Sequence, residues 1–248
     1  MGGERRFGGI ERLYGSFGAI RIAQAHVVVV GVGGVGSWAV EALARSGVGR
    51  LTLIDLDHVA ESNINRQLPA LEDTLGAAKV AVLAQRVRLI NPHCQVSAVE
   101  EFVQADNLAQ LIPADAAWVL DCIDSYRTKA AMIAFCRRRK QSIVTAGGAG
   151  GQLDPSRVRV SDLRKTEQDA LLARTRRLLR QDFGFPSNPK RSFGVPAVWS
   201  DEPVRDAQGC EIQQDGSLNC AGYGACMPVT ASFGLAAAAH VLRDIAGV

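Results

Sequence analysis

Residues 26–38 read HVVVVGVGGVGSW. A histidine and four valines make a short apolar run of the kind that forms a strand buried on both faces. The run ends in a glycine turn that matches G-x-G-x-x-G through Gly31, Gly33 and Gly36. Glycines there allow a tight turn and a close backbone approach to phosphate. The helix that opens after them offers unpaired N–H groups and a partial positive charge. A nicotinamide dinucleotide and a nucleotide about to be cleaved would both be served, so the rest of the chain must separate them.

Outward from this stretch the pattern alternates. A helix is expected over residues 34–46, a strand over 50–55 and a polar loop through Arg66. A helix opening near Lys79 and closing at Asn91-Pro92 follows, then a strand at 94–99. A short helix near 105–112, a strand at 116–123, a helix at 125–140 and a strand at 141–145 complete the set. This β-α-β-α order predicts an α/β fold, a doubly wound, mostly parallel Rossmann-like sheet. Residues 152–163 read as a strand placed past the parallel set, 164–182 as a basic helix, 183–226 as polar and Gly/Pro-rich, and 228–246 as an Ala-rich helix returning to the core. The expected organisation is one domain, 1–248: an N-terminal helical arm (1–25), a nucleotide-binding core (26–150) and a C-terminal elaboration (151–248).

Of the 248 residues 47% are hydrophobic, and no apolar run approaches the ~20 residues of a membrane helix. The opening MGGERRFGG has neither an apolar leader pattern nor a hydroxyl residue where a myristoylation signal would place one, so a cytoplasmic enzyme without a membrane partner is expected. The six cysteines form no C-x-x-C pair, which argues against the usual tetrahedral zinc site. Cys94, Cys122 and Cys136 lie in apolar segments and read as small buried hydrophobes. Net charge is only +3 but unevenly spread: residues 157–191 carry ten Lys/Arg against four acids, and Arg137-Arg138-Arg139-Lys140 adds four more bases. A single run of this sort is ordinarily a solvated helix face; two on an otherwise acidic protein point to a polyanion such as nucleic acid.

The loop after the second strand discriminates further. Asp55, nineteen residues beyond Gly36, is placed for ribose hydroxyls, with Asp57 two residues on. The block Asn63-Ile64-Asn65-Arg66-Gln67 has no evident use in a dehydrogenase, and no hydride-transfer acid/base set is apparent. A triphosphate does use it: Arg66 offers a planar multi-donor contact, and Lys79 at a helix start a mobile point charge. The segment LDCIDS sets Asp121, Ile123 and Asp124 at the carboxyl end of the fourth strand, where open α/β sheets bind ligands and where a carboxylate would meet Mg²⁺ on phosphates. Lys79 and Asp124 are expected to be semi-exposed at a cleft. Taken singly, Lys79 could be a surface residue and Asp124 a helix cap. Taken together and in this order, they favour ATP.

These motifs (G-x-G-G-x-G, D-x-D, N-x-N-R-Q, the helix-opening lysine and D-x-x-D) resemble the ubiquitin-activating-type adenylyltransferases, including their thiamine and molybdopterin branches, over roughly residues 10–150. The resemblance implies adenylation of a carboxylate by Mg-ATP. Gly33, Gly34 and Gly36, beside Gly31, would line the phosphates and Asp55 would hold the ribose. Asn63, Arg66 and Lys79 would contact phosphates, with Gln67, Asp57, Asp121 and Ile123 in the same binding set, and Asp124 would serve the metal. Arg66, Lys79 and Asp124 would form the catalytic group.

RFGGIERLYG, TAGGAGGQLDP, DLRKTEQD and CAGYGACMPVTASFG extend the resemblance over nearly the whole chain, to the tRNA-modifying branch of that family. That branch implies ATP-dependent cyclisation of a threonylcarbamoyl side chain on an adenosine beside the tRNA anticodon. It also implies a homodimer whose N-terminal arm lends an arginine to the partner's site. The family's R-Y-x-R is here Arg6-Phe7-Gly8-Gly9, which leaves Arg12 as the substitute. Cys220, in a polar segment, is the accessory thiol to consider; a tethered nitrogen needs no enzyme nucleophile, so it reads as a structural or sulfur-relay vestige. A monovalent cation (Na⁺ or K⁺) and a sulfur-transfer partner protein stay open. So do two other readings, an adenylyltransferase for a small ubiquitin-like sulfur carrier and a nucleotide-sensing scaffold.

Overall fold

The computed structural model describes residues 3–188, 190–204 and 224–248. Its centre is β1 (His26–Val30), all five residues of which are buried. Strand β1 lies between β2 (Arg50–Ile54) and β4 (Trp118–Asp121), parallel to both. Beyond them lie β3 (Gln95–Val99) and β5 (Ser142–Ala146), then β7 (Pro196–Ser200) and the edge strand β6 (Val158–Asp162), in the order β3-β2-β1-β4-β5-β7-β6. All pairings are parallel except β6 with β7.

The pleat sorts the four valines into two layers. Val27 and Val29 join the core built with Leu43 of α2 (Gly36–Arg45), Leu83 of α3 (Lys79–Ile90) and Phe233 of α7 (Met227–Ala246). Val28 and Val30 face the other way, onto Leu111 of α4 (Leu108–Leu111), Met132 and Ile133 of α5 (Tyr126–Arg138) and Leu172 of α6 (Ala170–Asp182). With helices on both faces, β1 has to be apolar at every position rather than at alternate ones. Helix α7 packs most closely on α2: a Cβ on Gly234 would stand 2.2 Å from the Val35 carbonyl oxygen, so only glycine fits there.

The first helix, α1 (Gly3–Gln24), is kinked at Gly15, whose φ of 73° is left-handed. It packs on the far ends of other helices: Arg21 donates to the Ala246 carbonyl, Arg6 to the Ile90 carbonyl, and Phe7 lies against Gly47.

Three expectations beyond residue 150 need correction. The strand expected at 152–163 is shorter, because Pro155–Arg157 forms a 3₁₀ turn first. The basic helix expected from 164 starts only at Ala170: Gln168 takes a left-handed φ of 53°, and Asp169 caps the helix by accepting from the Leu172 N–H at 2.8 Å. Residues 196–200, expected in a strandless stretch, form β7, with its proline at the first position where a lost N–H is tolerated. No described helix is long and apolar enough to cross a membrane.

Candidate nucleotide and adenylation site

The strand order reverses between β1 and β4, and the carboxyl ends of these strands mark the switch point at which an open α/β sheet forms its ligand crevice. The glycine turn lies on one wall. Gly31 has a φ of 80°, and a Cβ on Gly36 would stand 1.8 Å from the Gly31 carbonyl oxygen, so the fold tolerates no side chain at Gly36. Space is freer at Gly33, where a Cβ would meet nothing closer than Gln67 at 3.7 Å. The first turn of α2 has no side-chain cap, and among the described residues the N–H groups of Gly33, Gly34 and Val35 have no acceptor. Unpaired N–H groups at the positive end of a helix make an anion site.

Asp55 sits just past β2, half-buried, and ties the turn to the second strand. Its carboxylate accepts from the Val32 N–H at 2.7 Å and from the Asp57 N–H at 2.9 Å. Burial raises its pKa above the ordinary aspartate value, opposed by those two N–H groups and by the positive charge of Lys79. A carboxylate with both oxygens anchored from behind still has lone pairs for a vicinal diol in front.

Asn63 and Gln67 are buried, and Arg66 is half-buried. Asn63 closes a 3₁₀ turn by accepting from the Ala60 N–H, so its side chain shapes the loop. Arg66 lies across the glycine turn, its Cγ 3.3 Å from where a Gly34 Cβ would be. Trp38 donates to the Arg66 carbonyl. Its Nη1 donates to the Ser62 carbonyl and to Asn65 Oδ1, both at 2.9 Å; its other guanidinium donors have no partner among the described residues. The buried Oε1 of Gln67, beside Gly33, has no hydrogen-bond partner among the described residues. An orphaned polar atom beside Gly33 and free N–H groups in the same glycine turn fit a phosphorylated nucleotide.

Lys79 differs from expectation. It is buried, not semi-exposed, and its Nζ donates to Asp57 Oδ2 at 2.8 Å, which pins a charge the sequence suggested was mobile. Asp124 is exposed at the carboxyl end of β4 and has no cation paired with it among the described residues. The cap of α5 is Ser125, so Asp124 is not needed for that task. An open carboxylate suits Mg²⁺, a hard ion that takes oxygen ligands and keeps several waters. Ile123 is half-buried against Gly31.

Asp121 is not brought to this crevice. It is fully buried, 2.8 Å from Lys129 Nζ, and accepts from Thr145 Oγ1 at 2.6 Å. Lys129 also reaches Thr145 at 3.1 Å. The sequence reading missed this lysine, although LDCIDSYRTKAA puts it eight residues after Asp121, on a helix otherwise rich in buried alanine. Arg12 is exposed on α1, whose contacts lie at the ends of α2, α3 and α7 remote from the glycine turn, so it does not reach this chain's own crevice. Cys220 lies outside the described residues. Burial pushes the thiols of Cys94, Cys122 and Cys136 up, to about 11, 12 and 12, which leaves them protonated and inert at neutral pH.

The profile of the ThiF family matches residues 10–248. The chain is 48% identical to a tRNA threonylcarbamoyladenosine dehydratase of Haemophilus influenzae, covering 98% of this chain and 94% of that protein. It is 49% identical to a protein of the same name from Escherichia coli, over 97% and 93% of the two chains. The crystal structure of the E. coli tRNA N6-threonylcarbamoyladenosine dehydratase in complex with ATP superposes with a TM-score of 0.89, at 48% identity, covering 98% of this chain and 94% of that one.

Proposed function

The chain belongs to the ThiF family, and on that premise we propose that it catalyses the ATP-dependent dehydration of threonylcarbamoyladenosine in tRNA. The observation that carries this reading is end-to-end similarity to dehydratases of that name, in a chain whose glycine turn, Asp55 and Asp124 follow the carboxyl ends of β1, β2 and β4, with Arg66 against Gly34.

A carboxylate is a poor electrophile because its oxygen leaves badly. In the first step a side-chain carboxylate oxygen attacks the α-phosphorus of ATP, the bond to the β-phosphate breaks and pyrophosphate departs. In the second, the tethered carbamoyl nitrogen attacks the activated carbon, the bond to AMP breaks and the nitrogen's proton passes to solvent. The oxygen formally lost as water leaves on AMP. Tethering makes the second step intramolecular, so it needs no nucleophile from the protein. The free N–H groups of residues 33–35 hold the phosphates, Asp55 orients the ribose, and the unpaired donors of Arg66 neutralise charge developing on the phosphates. Lys79 raises the local potential from a fixed position. Asp124 would hold Mg²⁺, which when bound screens the triphosphate for attack.

The finer points of the proposal are a homodimer in which Arg12 reaches the partner's crevice, a supporting monovalent cation, a structural or relay role for Cys220, and room for a sulfur-transfer partner. Its test is nucleoside mass spectrometry of threonylcarbamoyladenosine-containing tRNA incubated with the protein. A product lighter by one water, formed only with ATP and with release of AMP and pyrophosphate, is expected. Unchanged nucleoside in the presence of bound ATP would overturn it.

A further inference from the structure

Three of the ten basic residues of the 157–191 stretch already have polar side-chain partners within the protein. Arg157 and Arg159 both pair with Asp201, at 2.6 and 3.2 Å, beside the β6–β7 pairing. Arg176 donates to Thr166 and is half-buried. Unengaged bases lie on two neighbouring helices, α5 and α6. Helix α5 is buried through its middle and exposes arginines only at its two ends, Arg127 at the start and Arg137–Arg138 at the finish. Helix α6 packs alongside it and exposes Arg174 and Arg177 between those ends. No acid pairs with Arg127, Arg137, Arg174 or Arg177 among the described residues.

Both helices start at the rim of the nucleotide crevice. Helix α5 follows Asp124 and Ser125 directly, and the Asp169 carboxylate that caps α6 also accepts from the Gly148 N–H at 3.0 Å, just past β5. At this rim the guanidiniums of Arg127 and Arg174 both lie over the ring of Tyr126, at 5.1 and 5.9 Å from its centroid. The opposite end closes as well: Arg180 covers Phe193 at 5.2 Å, and the neighbouring Gly194 lies against the Arg137 guanidinium. The bases therefore form one continuous line from rim to base. Ten helical residues separate Arg127 from Arg137, about 15 Å of rise, long enough to span more than one backbone phosphate.

We propose that this α5–α6 face is the RNA-docking surface: Arg174, Arg177 and Arg137 track a stem backbone, and Tyr126 with its two arginines receives an unstacked loop base at the mouth of the crevice. The proposal rests on the reading of tRNA as substrate. Its chemistry is that of RNA recognition, in which cations neutralise phosphates while aromatic rings and guanidinium planes stack on splayed bases. An acidic protein would use the arginines and have no need of a stacking surface at the rim.

The test measures binding of full-length tRNA by fluorescence anisotropy across a salt series, with ATP binding followed by calorimetry on the same proteins. The double variant Arg174→Glu/Arg177→Glu should bind tRNA at least tenfold more weakly and lose roughly 0.7–0.9 per contact from the log–log salt slope. Tyr126→Leu should weaken binding of an anticodon stem-loop but not of a plain duplex. The control Arg157→Gln/Arg159→Gln should leave tRNA affinity unchanged, and all variants should keep the ATP affinity of the unmodified protein. Unchanged tRNA affinity and salt slope in Arg174→Glu/Arg177→Glu would overturn the docking face, even if the unmodified protein forms product. Polyglutamate bound as tightly as tRNA, with the same loss on charge reversal, would overturn it in favour of an acidic protein. Loss of tRNA binding on reversal, with no ATP-dependent product from the unmodified protein, would support the docking face while refuting the proposed reaction.

Discussion

Lys79 Nζ lies 2.8 Å from Asp57 Oδ2, with the lysine side chain 5% exposed and the aspartate 71% exposed. The pair is lopsided: one partner is held within the protein and the other stands in water. The Lys79 backbone N–H also donates to the Asp57 carbonyl, so the start of α3 is tied twice to the loop after β2. A charge held this way is oriented before any phosphate arrives, and so costs little reorganisation when one does.

Lys79→Ala should therefore lower both activity and stability. Asp57 can rehydrate once its partner is gone, so the stability loss should be modest, about 1–2 kcal/mol, mainly from the buried stem. Asp124→Ala removes an exposed carboxylate without an ion-pair partner among the described residues and should change the free energy of urea unfolding by less than about 0.5 kcal/mol while abolishing product. Near-normal single-turnover cyclisation by Asp124→Ala would remove it from the metal role.

Two glycines near the crevice should behave oppositely. A Cβ at Gly36 would overlap the Gly31 carbonyl oxygen at 1.8 Å, whereas a Cβ at Gly148 would meet nothing within 4 Å. Gly36→Ala should displace the turn and eliminate ATP binding by calorimetry. Gly148→Ala should fold normally, and any loss of turnover there would locate substrate over the turn after β5.

Stability should fall as the pH is lowered from 6.5 toward 5. His26 and His240 both have pKa values lowered below 6.5, burial being the largest cause in each, so the unfolded chain binds more protons in this window and acid favours it. His26 is held neutral between Thr52 Oγ1 at 2.9 Å and Asp115 Oδ1 at 3.3 Å, and His240 stands edge-on to Trp118. The raised carboxyls of Asp55 and Asp169 contribute with opposite sign: their folded forms hold protons more tightly, so they oppose folding as pH rises through and above the carboxylate range. Urea midpoints at pH 7.5 and 5.5 should differ in the unmodified protein and converge in His26→Gln/His240→Gln. An undiminished difference in that double variant would refute the assignment.

The parallel half of the sheet was legible because its signals are local. Four consecutive valines, a glycine turn and alternating helix periods each declare themselves within a dozen residues. Strand β7 was hidden because PAVWS is short, starts with proline and sits amid glycine and proline, and only its pairing with β5 and β6 makes it a strand. The true start of α6 was marked by Asp169, but the basic run before it carried no breaker to separate 3₁₀ turn from helix. Among the candidate residues, the positions of Asp55 and Asp124 just past β2 and β4, and of Arg66 in the loop after β2, were legible from motif spacing. The burial of Lys79 could not, because it depends on how α3 packs. Nor could the diversion of Asp121, which needs knowledge that Lys129, in the first turn of the next helix, points inward.

That diversion yields a sharper prediction. Asp121 and Lys129 are both fully buried and lie 2.8 Å apart, with Thr145 bonded to both. The attraction inside such a pair is large, but so is the cost of taking both charges out of water, and the net contribution against an apolar pair is often near zero. Removing one partner is another matter, since the remaining charge stays buried with no counter-ion. Lys129→Met should destabilise the protein by roughly 3–5 kcal/mol, as should Asp121→Leu. The double variant Asp121→Leu/Lys129→Met should recover much of that loss, leaving chiefly the orphaned Thr145 hydroxyl at about 1–3 kcal/mol. Urea unfolding of all four proteins closes the cycle. ATP affinity in the double variant separates the roles: if Asp121 only holds β4, β5 and α5 together, binding should follow recovered stability. A stable double variant that binds no ATP would return Asp121 to the nucleotide site.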